Sequence, residues 1–204
     1  MAGPPVPAYD ERIFVSGING SGKSLLAIRL LLTAAPPRLV IDPADSDMLH
    51  VPGEAICRDP AKLPDAAHVR YIMRDPTDAD EAGALYASLY ASGGPRYVLA
   101  DDCGLYLPEH GAPKGAKLYV IAGRKRQLGH MATHVRARET ARWVRSMAVH
   151  QVVFGMADDE DVATIARSAG VKPAALAGAL AGVGAHGYAW LHRSVIYRFA
   201  NPPL

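Results

Sequence analysis

Cysteine is nearly absent from the chain: Cys57 and Cys103 are the only two in 204 residues. They fit neither a disulfide framework nor a metal-ligand spacing, which points to a reducing compartment. Aromatic residues make up 7% against 50% hydrophobic residues overall, so an aliphatic core is expected. No apolar run approaches the roughly 18–20 residues of a membrane-spanning helix, so no transmembrane segment is expected. The N-terminal stretch MAGPPVPAYDER lacks a basic start followed by an apolar run and does not read as a signal peptide. Its prolines predict an irregular lead-in over residues 1–11, ahead of a single domain over 12–204. No internal repeat is present.

Short apolar runs alternate with helical segments. Strands are expected at 12–16 (RIFVS), 38–42 (RLVID), 68–73, 97–102 (YVLADD), 128–135 and 150–156. Helices are expected at 24–33, 78–92, 117–126, 139–147, 158–169 and 173–181. Residues 43–68, rich in Pro, Asp and Ala, read as loop, and 187–193 with 194–199 read as a terminal hairpin. This alternation predicts an α/β fold with a central, largely parallel sheet flanked by helices.

Residues 17–24 read GINGSGKS and fill every position of G-x-x-x-x-G-K-[ST], the phosphate-loop pattern named Walker A. The flanks are those the chemistry requires, an apolar strand before and a helix immediately after. Glycines let successive backbone N–H groups turn inward on phosphate oxygens, and the helix N-terminus adds its dipole. The stretch Gly17, Ile18, Asn19, Gly20, Ser21, Gly22, Lys23, Ser24 and Leu25 is therefore the expected ATP site. Lys23 is expected to reach the β- and γ-phosphates, and Ser24 to offer its hydroxyl to Mg²⁺.

YVLADD places Asp101 and Asp102 where a parallel strand exits toward the ligand edge of a sheet. Asp101 is the expected Walker B ligand of Mg²⁺, and Asp102 the group that orients or deprotonates the attacking water. Asp42 ends another strand, but Pro43 and Ala44 after it suggest a turn. His130 and His134 share a strand face without a partnering Cys or acid nearby, so packing or sensing outweighs metal binding. Cys103 reads as a small buried residue.

Between Lys114 and Arg145 nine basic residues stand against one acid, Glu139, a local excess of eight in a chain whose net charge is +2. At helical spacing Arg138, Arg142 and Arg145 are expected to share a face. A solvated basic face paired with the acids at 158–161 accounts for these arginines as well as a functional role does.

With these residues in place the chain resembles the FtsK–HerA superfamily of DNA-pumping ATPases, and within it the genome-packaging ATPases of membrane-containing double-stranded DNA viruses. The likeness runs from about residue 12 to 170. It rests on GINGSGKS, the strand LVIDP, YVLADD, the basic turn GRKRQLG leading to Ala132-Thr133-His134, and VVFGMADDEDVATIARSAG. The resemblance implies a RecA/FtsK–HerA-like fold and a Mg-dependent ATPase that moves double-stranded DNA into a preformed capsid. It places the catalytic acid on Asp102, where the family usually has Glu. It puts the polar sensor on Thr133, with His134 in place of Gln, and the arginine finger on Arg124 or Arg126, offered to a neighbouring subunit. The remaining arginines, Arg136, Arg138, Arg142 and Arg145, are candidates for lining a pore or a subunit contact. Implied partners are double-stranded DNA without sequence preference, further copies of the chain in a ring, and a viral portal or membrane protein, in the host cytoplasm and the virion. Two other classes stay open: a small-molecule kinase whose arginine-bearing lid is GRKRQLG, and a nucleotide-gated assembly scaffold.

Overall fold

The structure, a computed structural model, describes residues 7–8, 10–93, 96–156 and 158–200. The lead-in over 1–11 lies largely outside these, and its described residues 7–8 and 10–11 belong to no helix or strand. Over the described residues nine strands form one sheet: β1 (Arg12–Ser16), β2 (Arg38–Asp42), β3 (Ala55–Cys57), β4 (His68–Ile72), β5 (Arg96–Ala100), β6 (Leu128–His134), β7 (His150–Phe154), β8 (Tyr188–His192) and β9 (Val195–Phe199). Their spatial order is β3-β4-β2-β5-β6-β1-β7-β8-β9. All pairings from β3 across to β7 are parallel, and β8 and β9 close the sheet as an antiparallel hairpin.

Side chains alternate between two cores, as the pleat dictates. In β1, Ile13 and Val15 face one way and meet Leu26, Ala27, Ile28 and Leu31 of α1 (Lys23–Thr33). Phe14 faces the other way, into the layer formed by α2 (Ala79–Ser92), α3 (Lys114–Ala122), α4 (Arg142–Met147), α5 (Asp159–Ala169) and α6 (Pro173–Ala181). That layer contributes Leu85, Tyr86, Tyr119, Val144, Ile165 and Leu176. The central strands are buried on both faces, which explains why they read as continuous apolar runs.

Parallel pairing gathers the C-terminal ends of β1 to β7 at one edge. The loops after β1, β2, β5, β6 and β7 open there, and so does the approach to β8. The segments that lead into β2, β6 and β7 lie at the opposite edge.

Several boundaries differ from the sequence expectation. Residues 43–68 contain a 3-10 turn at Asp47–Leu49 and the three-residue β3, too short for a periodic signal. The helix expected at 117–126 begins at Lys114, after Pro113, and tightens into a 3-10 turn over Gly123–Arg126. The helix expected at 139–147 is split: a 3-10 turn covers Ala137–Glu139, and α4 begins at Arg142. Between them the backbone is extended, because the Glu109 amide donates to the Glu139 carbonyl (2.9 Å) and the Ala141 amide to the Leu107 carbonyl (2.9 Å). These bonds hold 139–141 against 107–109 and outcompete helix continuation. Arg138 therefore shares no helix face with Arg142 and Arg145.

Candidate nucleotide site

The loop after β1 turns through positive φ angles at Gly17 (153°), Gly20 (75°) and Gly22 (102°). A Cβ on Gly17 would come 2.5 Å from Phe154 Cβ at the end of β7, so only glycine lets the loop pass there. The Ile18 amide donates to the Gly155 carbonyl (2.9 Å), tying the loop to the neighbouring strand end. Asn19 through Leu25, with Met48, Asp102 and His186, line a cavity of about 580 Å³. Gly17 and Ile18 shape the loop without lining the cavity.

Lys23 is buried at the first position of α1, and its Nζ donates to the Ile18 carbonyl (2.9 Å). Burial lowers its pKa, while Asp102 and Asp101 oppose that shift. A desolvated ammonium held by one carbonyl inside a cradle of backbone amides is suited to exchange that partner for phosphate oxygens.

Asp101 follows β5, and three strands' worth of chemistry converges on it. Ser24 Oγ donates to Asp101 Oδ1 (3.0 Å), and Thr133 Oγ1, near the end of β6, donates to the same oxygen (2.6 Å). The Asp102 amide donates in turn to Thr133 Oγ1 (3.0 Å), and Tyr106 OH to the Asp101 carbonyl (3.0 Å). Thr133 thus bridges both acids. Burial raises the Asp101 pKa against the hydrogen bond from Thr133, and the charge of Asp102 raises it further. A buried carboxylate beside a hydroxyl and a phosphate cradle is the donor set expected for Mg²⁺, which takes few protein ligands and shares the rest with phosphate and water. Among the described residues no cluster of three or more His, Cys, Asp or Glu could hold a metal by itself. The residues present fit ATP and Mg²⁺.

Asp102 takes a left-handed backbone (φ 40°, ψ 44°), uncommon for a residue with a side chain, and turns its half-open carboxylate into the cavity. His134 stands behind it. Its Nδ1 lies 3.9 Å from Asp102 Oδ1 and its Nε2 3.7 Å from Glu139 Oε2, and both ring nitrogens are buried without a hydrogen-bond partner among the described residues. Burial lowers the His134 pKa against the pull of both acids.

Arg124 and Arg126 are not brought to this cavity. They sit in the turn that precedes β6, at the opposite edge of the sheet. Arg124 Nε pairs with Asp10 Oδ2 (3.0 Å), and Arg126 donates to the Tyr90 carbonyl (2.8 Å) with its guanidinium 4.3 Å from the Tyr90 ring centroid. Arg136 and Arg138 do lie at the nucleotide edge, just past β6, where they pair with Asp158, Glu160 and Asp161 around the start of α5.

Met48 and His186 were not expected in the cavity. Met48 sits in the loop after β2, held by a buried network in which Arg70 bonds Asp42 (3.2 Å) and Glu54 (2.8 Å). The signal available was topological: a loop after a parallel strand borders the ligand edge. His186 lies in the Ala/Gly-rich stretch before β8, which carried no pattern. A further buried histidine, His130, packs between Tyr86 and Tyr119 and shares a 2.9 Å hydrogen bond with Tyr86 OH.

The parallel sheet, the glycine loop between β1 and α1, and the strand-end acids together define an α/β fold of the P-loop NTPase type. Among solved structures the chain is similar to the genome packaging NTPase B204 of Sulfolobus turreted icosahedral virus 2 in complex with AMPPCP. The TM-score is 0.81 at 14% identity, over 97% of this chain and 100% of that one. B204 of Sulfolobus turreted icosahedral virus, described as its DNA-packaging ATPase, matches with TM-score 0.73 at 13% identity, over 94% and 98%. VirB4 of Thermoanaerobacter pseudethanolicus matches with TM-score 0.69 at 9% identity, over 95% and 89%. No family model and no curated protein matches the sequence.

Proposed function

We propose that the chain is a Mg-dependent ATPase that translocates double-stranded DNA into a preformed viral capsid, working as a ring of identical subunits. The observation that carries this reading is Asp101, buried beside a nucleotide-sized cavity and held by Ser24, which lines that cavity, and by Thr133 of β6. The full-length likeness to B204, titled a genome packaging NTPase, supports packaging as the use of that hydrolysis. In the host cell and the virion, a portal or membrane protein would anchor the ring. Among the described residues no helix is long and apolar enough to cross a membrane.

In this mechanism the amides from Asn19 to Leu25 and Lys23 hold the β- and γ-phosphates. Asp102, whose carboxylate lines the cavity, would orient the attacking water and take its proton. Thr133 fixes the two acids relative to each other. Mg²⁺, bound through Ser24 and Asp101, would neutralise charge on the phosphate oxygens. An arginine from a neighbouring subunit completes the site, a contribution of roughly 10³–10⁵ in rate in related chemistry.

The kinase reading needs a lid at the phosphates, and GRKRQLG lies at the far edge of the sheet. Phosphate release, measured with and without duplex DNA and beside Lys23→Ala, tests the proposal. Turnover that rises with DNA of any sequence and vanishes in Lys23→Ala is expected. Turnover indifferent to DNA would sink the motor, and absence of turnover would favour the scaffold.

A further inference from the structure

A second cavity, of about 410 Å³, lies between α4 and α5 and is lined by Arg142, Arg145, Ser146, Thr164, Arg167 and Ser168. Both helices deliver the same pattern. Arg142, Arg145 and Ser146 stand at i, i+3 and i+4 on α4, and Thr164, Arg167 and Ser168 at i, i+3 and i+4 on α5, so each set falls on one helix face. Three guanidiniums and three hydroxyls meet across the groove, and no carboxylate lines it among the described residues.

The six side chains divide by how far they are already engaged. Arg145 is buried, and its Nη1 is spent on the Ala137 and Thr140 carbonyls and on Glu109 Oε2 (3.2 Å), so it forms the floor. Ser168 donates to Gln151 Oε1 (2.9 Å). Arg142 and Arg167 are exposed and make no ion pair among the described residues, unlike Arg136 and Arg138 nearby. Arg167 Nη2 donates to Thr164 Oγ1 (3.3 Å), which leaves the Thr164 proton free to point outward. Two guanidiniums on facing helices, without a carboxylate partner among the described residues and with the hydroxyls of Ser146 and Thr164 beside them, make a surface rich in donors and free of negative charge. Such a surface matches the oxygens of phosphate, which accept from a planar fork at two points.

We infer that the α4–α5 groove is a phosphate-binding site separate from the nucleotide cavity. α5 runs from the end of β7 back toward the opposite edge of the sheet, and α4 leads into the start of β7, so the groove opens away from the phosphate loop. No aromatic or amide side chain lines it to read a base, so the ligand is the phosphate group itself, carried by a nucleic-acid backbone or free in solution. The inference does not depend on hydrolysis and stands or falls by a binding measurement without ATP.

The test measures affinity for a short labelled duplex of arbitrary sequence across a salt series, and titrates inorganic phosphate by calorimetry. Arg142→Ala/Arg167→Ala is compared with the parent and with Lys114→Ala/Lys117→Ala, which removes equal charge from exposed positions of α3. If the carrier is a nucleic-acid backbone, Arg142→Ala/Arg167→Ala loses roughly tenfold or more in duplex affinity and its salt slope is shallower by about two. The lysine control keeps the parent slope, and Arg142→Lys/Arg167→Lys restores the slope without the full affinity, because the fork is gone. If the carrier is free phosphate, the binding heat that remains in Lys23→Ala, where the nucleotide cradle is silenced, disappears when Arg142→Ala/Arg167→Ala is added, while duplex affinity holds. Unchanged binding of both probes, or equal losses in the lysine control, overturns the site.

Discussion

Asp101 shows how a buried carboxylate is held in an unfavourable state. Burial pushes its carboxyl toward the neutral form, and the charge of Asp102 pushes the same way, yet two hydroxyls donate to one of its oxygens and favour the anion. A divalent cation bound there would relieve both costs. His130 is the opposite case, a buried titratable group with a purely structural duty. Burial, with Arg12 nearby, depresses its pKa from 6.5 to about 3, and its hydrogen bond to Tyr86 OH is made in the neutral state. Below pH 6.5 the unfolded chain binds a proton that the folded chain refuses until about pH 3, so stability falls as pH drops through that window. His130→Gln keeps a partner for Tyr86 and cannot titrate. Its melting temperature is expected to fall less between pH 7 and pH 5 than that of the parent. Parallel falls in the two proteins would show that His130 does not report on folding in this way.

At the scale of elements, α2 and α3 approach closely because Gly83 and Gly115 face each other. A Cβ on Gly115 would lie 2.4 Å from the Gly83 carbonyl oxygen and 3.1 Å from the Ala87 amide nitrogen, both backbone atoms that cannot swing aside. In a helix, Gly→Ala alone gains up to about 1 kcal/mol, but overpacking costs roughly 1–3 kcal/mol. The clash wins at Gly115, and Gly115→Ala is expected to melt lower. Gly178→Ala in α6, where nothing lies within 4 Å of the new Cβ, is expected to melt higher. A gain at both positions would mean that α2 and α3 are not locked together. Elements with long periodic or apolar runs were legible from sequence: the buried parallel strands, α1 after the glycine loop, and α5 behind its acidic first turn. So was the nucleotide loop, because its chemistry is local to eight residues. What escaped reading was set by distant pairing. β3 exists because β4 pairs with it, and the break between Glu139 and Arg142 exists because 107–109 compete for that backbone. Met48 and His186 escaped because a cavity wall assembled by topology leaves no local pattern. The arginines after β6 could be counted but not sorted, since their partners are the acids of α5 and the carbonyls of their own turns.

The whole molecule is polar from edge to edge, and that polarity constrains how the proposed ring works. The seven residues of β6 separate Arg126 from the end of the strand at His134, a span of roughly 20 Å at strand rise. No arginine side chain covers that distance, so Arg124 and Arg126 cannot serve the nucleotide of their own subunit. They can serve a neighbour's, if the far edge of one copy meets the nucleotide edge of the next. Such a contact is head-to-tail, which gives no two-fold dimer and closes a ring where its rotation closes. The two halves of each catalytic site then come from different chains. Lys23→Ala loses the phosphate cradle but keeps the arginines, while Arg124→Ala/Arg126→Ala loses the arginines but keeps the cradle. Each is expected to be inactive alone. Mixed in equal amounts before assembly, they are expected to recover about a quarter of the parent's turnover if interfaces act independently, because one interface in four pairs an intact cradle with an intact finger. A mixture as inactive as its parts would remove both arginines from catalysis in trans. Full activity of Arg124→Ala/Arg126→Ala on its own would shift the search to Arg136 and Arg138. Those two already stand at the nucleotide edge, paired there with Asp158, Glu160 and Asp161.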